Sequence, residues 1–121
     1  MEVAMKVHHV MFLVKDIDTS IRFYTTFFGF TVVKRFEKNA VPYCLIRLQD
    51  FAIELRQDKY SSIPAGGRIA HLAFEVEDIL KEIQKLKEKG LAFDTPTKGT
   101  SCSLFSFAKD PDGIDLELYQ P

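Results

Sequence analysis

Two histidines and two glutamates recur at matched places in this 121-residue chain, and residues of these types could together hold a divalent metal. His9 opens the segment His9-Val10-Met11-Phe12-Leu13-Val14-Lys15-Asp16-Ile17. His71 opens His71-Leu72-Ala73-Phe74-Glu75-Val76-Glu77-Asp78-Ile79, at an offset of 62, with five of nine positions identical. Glu54 lies in Phe51-Ala52-Ile53-Glu54-Leu55-Arg56-Gln57, and Glu117 in Ile114-Asp115-Leu116-Glu117-Leu118-Tyr119-Gln120, at an offset of 63, with Glu, Leu and Gln shared. Neutral imidazoles and carboxylates form a mixed nitrogen and oxygen set. Two Glu would neutralise a dication and leave positions for water or a chelating substrate, whereas two carboxylates sharing a cleft without a metal would repel each other. Taken singly, a His at a strand start is more often structural and an outward-facing Glu is most simply solvated. Solvated residues have little reason to keep register with a repeat, and the recurrence carries the metal reading.

The elements that must position these residues read as strand, helix and three strands, twice over. This gives an α+β chain of two tandem βαβββ modules, about residues 7–57 and 69–120, in a single domain spanning 1–121. Val10, Phe12 and Val14 alternate as a half-buried strand does, and Leu72, Phe74 and Val76 repeat the pattern. The first helix starts at Asp16 or Asp18, shows Ile17, Ile21, Tyr24 and Phe28 on one face, and stops at Gly29. The second starts at Asp78, carries Ile79, Ile83 and Leu86, and ends at Gly90, with its lysines and glutamates as a solvated face. Further strands are expected over Thr31 to Phe36, Tyr43 to Leu48 after a break at Pro42, and Phe51 to Arg56. In the second half they fall at Ala92 to Asp94, Ser103 to Ala108 and Ile114 to Tyr119. Asp58 to Arg68 has the turn residues of a linker. Strand parity puts His9 opposite Val10 and Phe12, His71 opposite Leu72 and Phe74, Glu54 opposite Ile53 and Leu55, and Glu117 opposite Leu116 and Leu118. All four then face away from the helices, and His8 has the wrong parity to join them.

Composition narrows the partners. With 16 basic and 17 acidic residues the net charge is −1, so no global field attracts nucleic acid or an anionic membrane, and a pocket for a small molecule must supply specificity. No apolar run approaches the ~20 residues of a spanning helix. The start, Met1-Glu2-Val3-Ala4-Met5-Lys6, lacks a signal-peptide pattern, and the expected location is the cytoplasm. Cys44 and Cys102 fit no Cys-x-x-Cys spacing and are expected to be reduced and structural.

The segments His9 to Ile17, Ser20-Ile21-Arg22-Phe23-Tyr24, Gly29-Phe30, Ala52-Ile53-Glu54-Leu55, His71 to Asp78, and Asp110-Pro111-Asp112-Gly113 leading into Leu116-Glu117-Leu118 resemble the vicinal oxygen chelate superfamily. That superfamily includes glyoxalase I, acyl-CoA epimerases, fosfomycin-modifying enzymes, extradiol dioxygenases and bleomycin-resistance proteins. The resemblance implies paired βαβββ modules forming a curved mixed sheet around a metal site, in a homodimer with sites at its interface. Four ligands at His9, Glu54, His71 and Glu117 are similar to the compact bacterial glyoxalase I pattern. They imply one divalent metal per site, nickel or cobalt before zinc. The implied reaction turns an α-oxoaldehyde hemithioacetal into a 2-hydroxyacyl thioester by proton transfer through an enediolate, with Glu117 as base and Glu54 helping or alternating. Pro96-Thr97-Lys98-Gly99-Thr100 resembles the loop whose lysine holds the carboxylate of a thiol co-substrate, which makes Lys98 the implied cofactor-binding residue. One departure is Leu13, which stands where glyoxalase I has the arginine that binds glutathione. Another low-molecular-weight thiol, or a substrate without a thiol, is then the expectation, with Lys98, Arg56 or Arg68 meeting an anionic group. Rival expectations are an acyl-CoA epimerase, and a non-catalytic binding protein of the bleomycin-resistance type, in which the ligands are generally lost.

Overall fold

The computed structural model describes residues 7–59 and 71–121, so most of the expected linker, from Tyr60 to Arg68, lies outside the described residues. Two units, Met1–Ser61 and Ser62–Pro121, each carry one helix and one four-stranded mixed sheet, and the chain is an α+β protein. In the first unit β1 (His9–Val14) and α1 (Ile17–Phe28) precede β2 (Thr31–Lys38), β3 (Val41–Leu48) and β4 (Phe51–Gln57), with sheet order β1-β4-β3-β2. In the second, β5 (His71–Glu75) and α2 (Ile79–Glu88) precede β6 (Thr97–Lys98), β7 (Leu104–Lys109) and β8 (Asp115–Gln120), in the matching order β5-β8-β7-β6. The histidine strand in each unit runs parallel to the glutamate strand, and the other pairings are antiparallel.

Alternation along β1 explains its orientation. Phe12 and Val14 are buried while His9 and Met11 are exposed, so one face meets the core and the other carries the polar residues. Burial of each such apolar side chain contributes roughly 1.5–3 kcal/mol. Helix α1 covers its sheet with Ile17, Ser20, Phe23 and Tyr24 buried, and the expected face is corrected: Ile21 and Phe28 are only half-buried. The aromatic bulk explains the rotation, because Phe23 and Tyr24 pack edge to face at 5.2 Å and Tyr24 also meets Phe30 at 5.5 Å. In α2 the buried positions are Ile79 and Leu86, with Ile83 half-buried.

Both helices begin in the same way. Asp16 and Asp78 are the N-caps, accepting from the backbone N–H of Thr19 and Lys81. A second tie comes from the sheet: the Ile17 N–H donates to Gln57 Oε1 at 3.0 Å, and the Ile79 N–H to Gln120 Oε1 at 2.8 Å. Gln57 and Gln120 each stand third after their glutamate, Glu54 or Glu117, so the glutamine shared by the repeat anchors the glutamate strand to the helix start. Gln57→Ala should lower stability by about 1 kcal/mol, read as a shift in the urea midpoint, because it strands a part-buried N–H. The Thr19 N–H bond holds the Asp16 carboxyl below its ordinary value of 3.8. Its contribution is therefore present above pH 3.8 and lost as the pH falls through the lowered value; Asp16→Asn should flatten the acid limb of a stability profile there. At the far end, Gly29 closes α1 with φ 75°, a conformation suited to glycine.

Two strand expectations are corrected. Pro42 lies inside β3, opposite Glu37 of β2. It is tolerated because β4 pairs with β3 only from Tyr43 onward, leaving Pro42 with one neighbour. Ala92 to Asp94 forms no strand; the edge strand is Thr97–Lys98. Asp94 reaches β7 by one backbone bond to Phe107 and by its carboxylate, which accepts from Ser106 Oγ at 2.7 Å and the Phe107 N–H at 3.0 Å. Pro96, with no N–H, interrupts the ladder before Thr97. Both cysteines are free. Burial pushes the Cys44 thiol pKa up, and the charge of Arg35 opposes it.

Candidate metal centre

Register brings each histidine to its glutamate. On β1 the partner of Glu54 is Met11, the second residue past His9; on β5 the partner of Glu117 is Ala73, the second past His71. Side chains two apart share a strand face, so the imidazole and the carboxylate stand diagonally across a parallel pair in both units. His9 Nε2 lies 3.9 Å from Glu54 Oε2, and His71 Nε2 lies 3.5 Å from Glu117 Oε1. In each pair it is Nε2 that turns to the carboxylate.

The carboxylates are not solvated surface groups. Glu54 retains 19% and Glu117 14% of side-chain exposure, while their histidines retain 36% and 44%. Burying a carboxylate to this extent is costly unless positive charge or hydrogen bonds compensate, and a neutral imidazole supplies no charge. Two ligands of one divalent ion, each ~2.0–2.2 Å from it, stand roughly 3.0–3.5 Å apart at ordinary coordination angles. The His71–Glu117 spacing meets that range and the His9–Glu54 spacing is slightly wider. The donor types in both units, and the spacing of His71 and Glu117, fit a metal, with each unit offering a nitrogen and an oxygen. Within each unit, the described His, Cys, Asp and Glu side chains form no group of three or more that could hold an ion, so each provides a pair only.

The surroundings of the two pairs differ. Phe107 faces Glu117 across the β7–β8 ladder and packs edge to face on the His71 ring at 5.6 Å, fixing that imidazole. Leu45 takes the corresponding place against Glu54, and His9 is instead steadied by His8, Nδ1 to Nδ1 at 2.8 Å. One side of that His8–His9 bond must donate and the other accept, which leaves His9 Nε2 turned to Glu54. Neither Phe107 nor this role for His8 is legible from spacing, since both depend on side-chain neighbours that only the folded chain defines. Beyond Leu45, β3 and β2 present Tyr43 stacked on Phe36 at 5.0 Å. Lys98 stands exposed on the edge strand β6, opposite Leu104, and no placement is described for Arg68. The turn Asp110-Pro111-Asp112-Gly113 is held by Asp110 Oδ1, which accepts from the Asp112 and Ile114 N–H groups, both at 2.8 Å.

Sheet order, parallel histidine and glutamate strands, and a repeated donor pair define a class. The family model of the Glyoxalase/Bleomycin resistance protein/Dioxygenase superfamily matches residues 6–118, and the chain belongs to that superfamily. "Probable lactoylglutathione lyase" of Vibrio cholerae is 31% identical over 125 residues, spanning 95% of this chain and 90% of that protein. "Lactoylglutathione lyase GLX1" of Arabidopsis thaliana is 31% identical over 122 residues, spanning 93% of this chain, and this chain spans only 43% of the length of that plant protein. The glyoxalase family protein from Enterococcus faecalis superposes with a TM-score of 0.84 at 24% identity, covering 96% of this chain and 98% of that one, which is a likeness of fold. No helix among the described residues is long and apolar enough to cross a membrane.

Proposed function

We propose that this chain is a divalent-metal-dependent lyase of the glyoxalase I kind. It would convert the hemithioacetal of an α-oxoaldehyde such as methylglyoxal into a 2-hydroxyacyl thioester by proton transfer through an enediolate. The observation that carries the reading is the duplicated pair, His9 with Glu54 and His71 with Glu117, at one register and with both carboxylates largely withdrawn from water. The similarity to proteins named lactoylglutathione lyase supports the chemistry.

In this reading the four side chains are the ligands of one metal, nickel or cobalt before zinc, and a homodimer with sites at its interface brings the pairs together. His9, Glu54, His71 and Glu117 would hold the metal, which would supply the Lewis acidity that makes the C–H beside the substrate carbonyl easier to deprotonate. The chain's own residues move the proton. Glu117 takes it from one carbon and returns it to the next, as a general base and then acid. Glu54 supplies the second carboxylate and can alternate with Glu117. Phe107 holds the His71 ring and limits water beside Glu117. Lys98, exposed and without a carboxylate partner among the described residues, meets an anionic end of the thiol.

The test is thioester formation from methylglyoxal with a panel of thiols, glutathione included, after metal-free protein is reloaded with each candidate metal. Thioester with one thiol is expected and would identify metal and thiol together. No thioester from metal-loaded protein would transfer the reading to an acyl-CoA epimerase. Failure to take up any metal would leave a binding protein of the bleomycin-resistance type.

A further inference from the structure

The residue that neighbours both donors of a pair differs between the two units. Met11 follows His9 by two positions on β1 and is the register partner of Glu54, and Ala73 follows His71 by two on β5 and is the register partner of Glu117. A side chain at this place stands beside the imidazole along its own strand and beside the carboxylate across the parallel pair, so it forms the near wall for anything those donors hold. Both residues are exposed, and Met11 keeps 40% of its surface. The core does not account for an open methionine there, since Phe12 and Val14 fill the opposite face of β1.

The repeat that keeps the four donors in register does not keep this position. Methionine extends a flexible thioether chain beyond the Cβ at which alanine ends. On the other flank of each carboxylate the sizes are reversed: Leu45 stands beside Glu54, and the larger Phe107 stands beside Glu117, held edge to face on His71. Glu54 therefore has a long apolar neighbour on both flanks, and Glu117 has one only on the β7 side. A ligand held by these donors finds room beside Glu117 over Ala73, and meets a thioether at the matching place beside Glu54.

We propose that Ala73 and Met11 are specificity-determining residues: the ligand seats the carbon next to its chelating oxygens over Ala73, against Glu117, while Met11 fills the equivalent place against Glu54 and restricts its exchange with Glu117. The bulk that a substrate can carry at that carbon is then set at Ala73. The proposal rests on the reading of the two pairs as ligands of one metal, and the experiment separates the two. Acetohydroxamate and isobutyrohydroxamate share a two-oxygen head and differ only in bulk at the adjacent carbon. Their affinities are measured by calorimetry on zinc-loaded wild type, on Ala73→Met, and on the exchanged protein carrying Ala73→Met with Met11→Ala, with zinc content determined on each sample. Wild type should bind the two within about threefold of each other. Ala73→Met should weaken isobutyrohydroxamate relative to acetohydroxamate by at least about tenfold, because the branch no longer fits. Adding Met11→Ala should return most of that loss by opening the place beside Glu54, a recovery that general distortion of β5 would not give. Equal weakening of both chelators, no recovery in the exchanged protein, or no hydroxamate binding to zinc-loaded wild type would overturn the proposal. A second measurement needs no substitution. In zinc-loaded wild type, nuclear Overhauser contacts should run from the isobutyrohydroxamate methyls to the labelled methyl of Ala73 and not to that of Met11, and contacts to Met11 alone or to both equally would overturn the placement while leaving the metal reading intact. Wild type that takes up no zinc would overturn the metal reading and the placement with it.

Discussion

Glu117→Gln should reduce turnover at least about 10³-fold while the protein still takes up metal. The substitution keeps the size of the side chain and one oxygen donor, and it removes both the negative charge and the ability to accept a proton. The fold should survive, because the buried neighbours Leu116 and Leu118 point to the opposite face of β8 and are untouched. A loss confined to kcat, with metal content measured by elemental analysis on the same sample, separates a missing base from a missing ligand. Glu54→Gln is the control for alternation: if Glu54 shares the proton transfer, its rate falls by a comparable factor. A Glu117→Gln variant with near-wild-type turnover would remove Glu117 from the mechanism.

His71→Ala and His9→Ala should each weaken metal binding by at least about 100-fold, beyond the roughly 10–100-fold typical when only an outer-shell partner of a ligand is lost. Each removes an imidazole whose Nε2 turns to a carboxylate, and each leaves that carboxylate largely buried with its sole described polar partner gone. The two effects should be similar, since both pairs share one register. His8→Ala should change affinity several-fold at most, through the lost Nδ1 contact that orients His9. Competition against a chromophoric chelator measures all three. Metal loss in His8→Ala with retention in His9→Ala would reverse the assignment of the first ligand.

Much of this arrangement is legible in the sequence because the repeat is visible before any element is assigned. The offsets of 62 and 63 select His9 with His71 and Glu54 with Glu117, and a period of two then assigns each to a face. The N-cap at Asp78 and the stop of α1 at Gly29 follow from the sequence, and the fold selects Asp16 over Asp18 as the first N-cap. The features that spacing does not carry depend on neighbours across strands rather than along them. The rotation of α1 toward Phe23 follows from how aromatic rings fill the space over the sheet, which the spacing of isoleucines does not encode. The edge strand is Thr97–Lys98 rather than Ala92 to Asp94 because Asp94 keeps one backbone bond to Phe107 while its carboxylate takes the Phe107 N–H, an arrangement invisible in hydropathy. Pro42 reads as a break in one dimension, yet the pairing of β4 only from Tyr43 onward gives it a place inside a strand. The pairing of Arg56 with Leu13 is likewise a fact of register alone.

The glutamine bonds at the helix starts have a bearing on motion. Because Gln57 and Gln120 close the strands that carry Glu54 and Glu117, fraying of either helix start must break a tie to the strand that holds the carboxylate. Opening of the first turn and slippage of the glutamate strand are then one cooperative event. The Ile17 and Ile79 amides become built-in reporters: their hydrogen-exchange rates track how firmly each carboxylate is held, and slower exchange on metal loading would register occupancy from the far end of the strand.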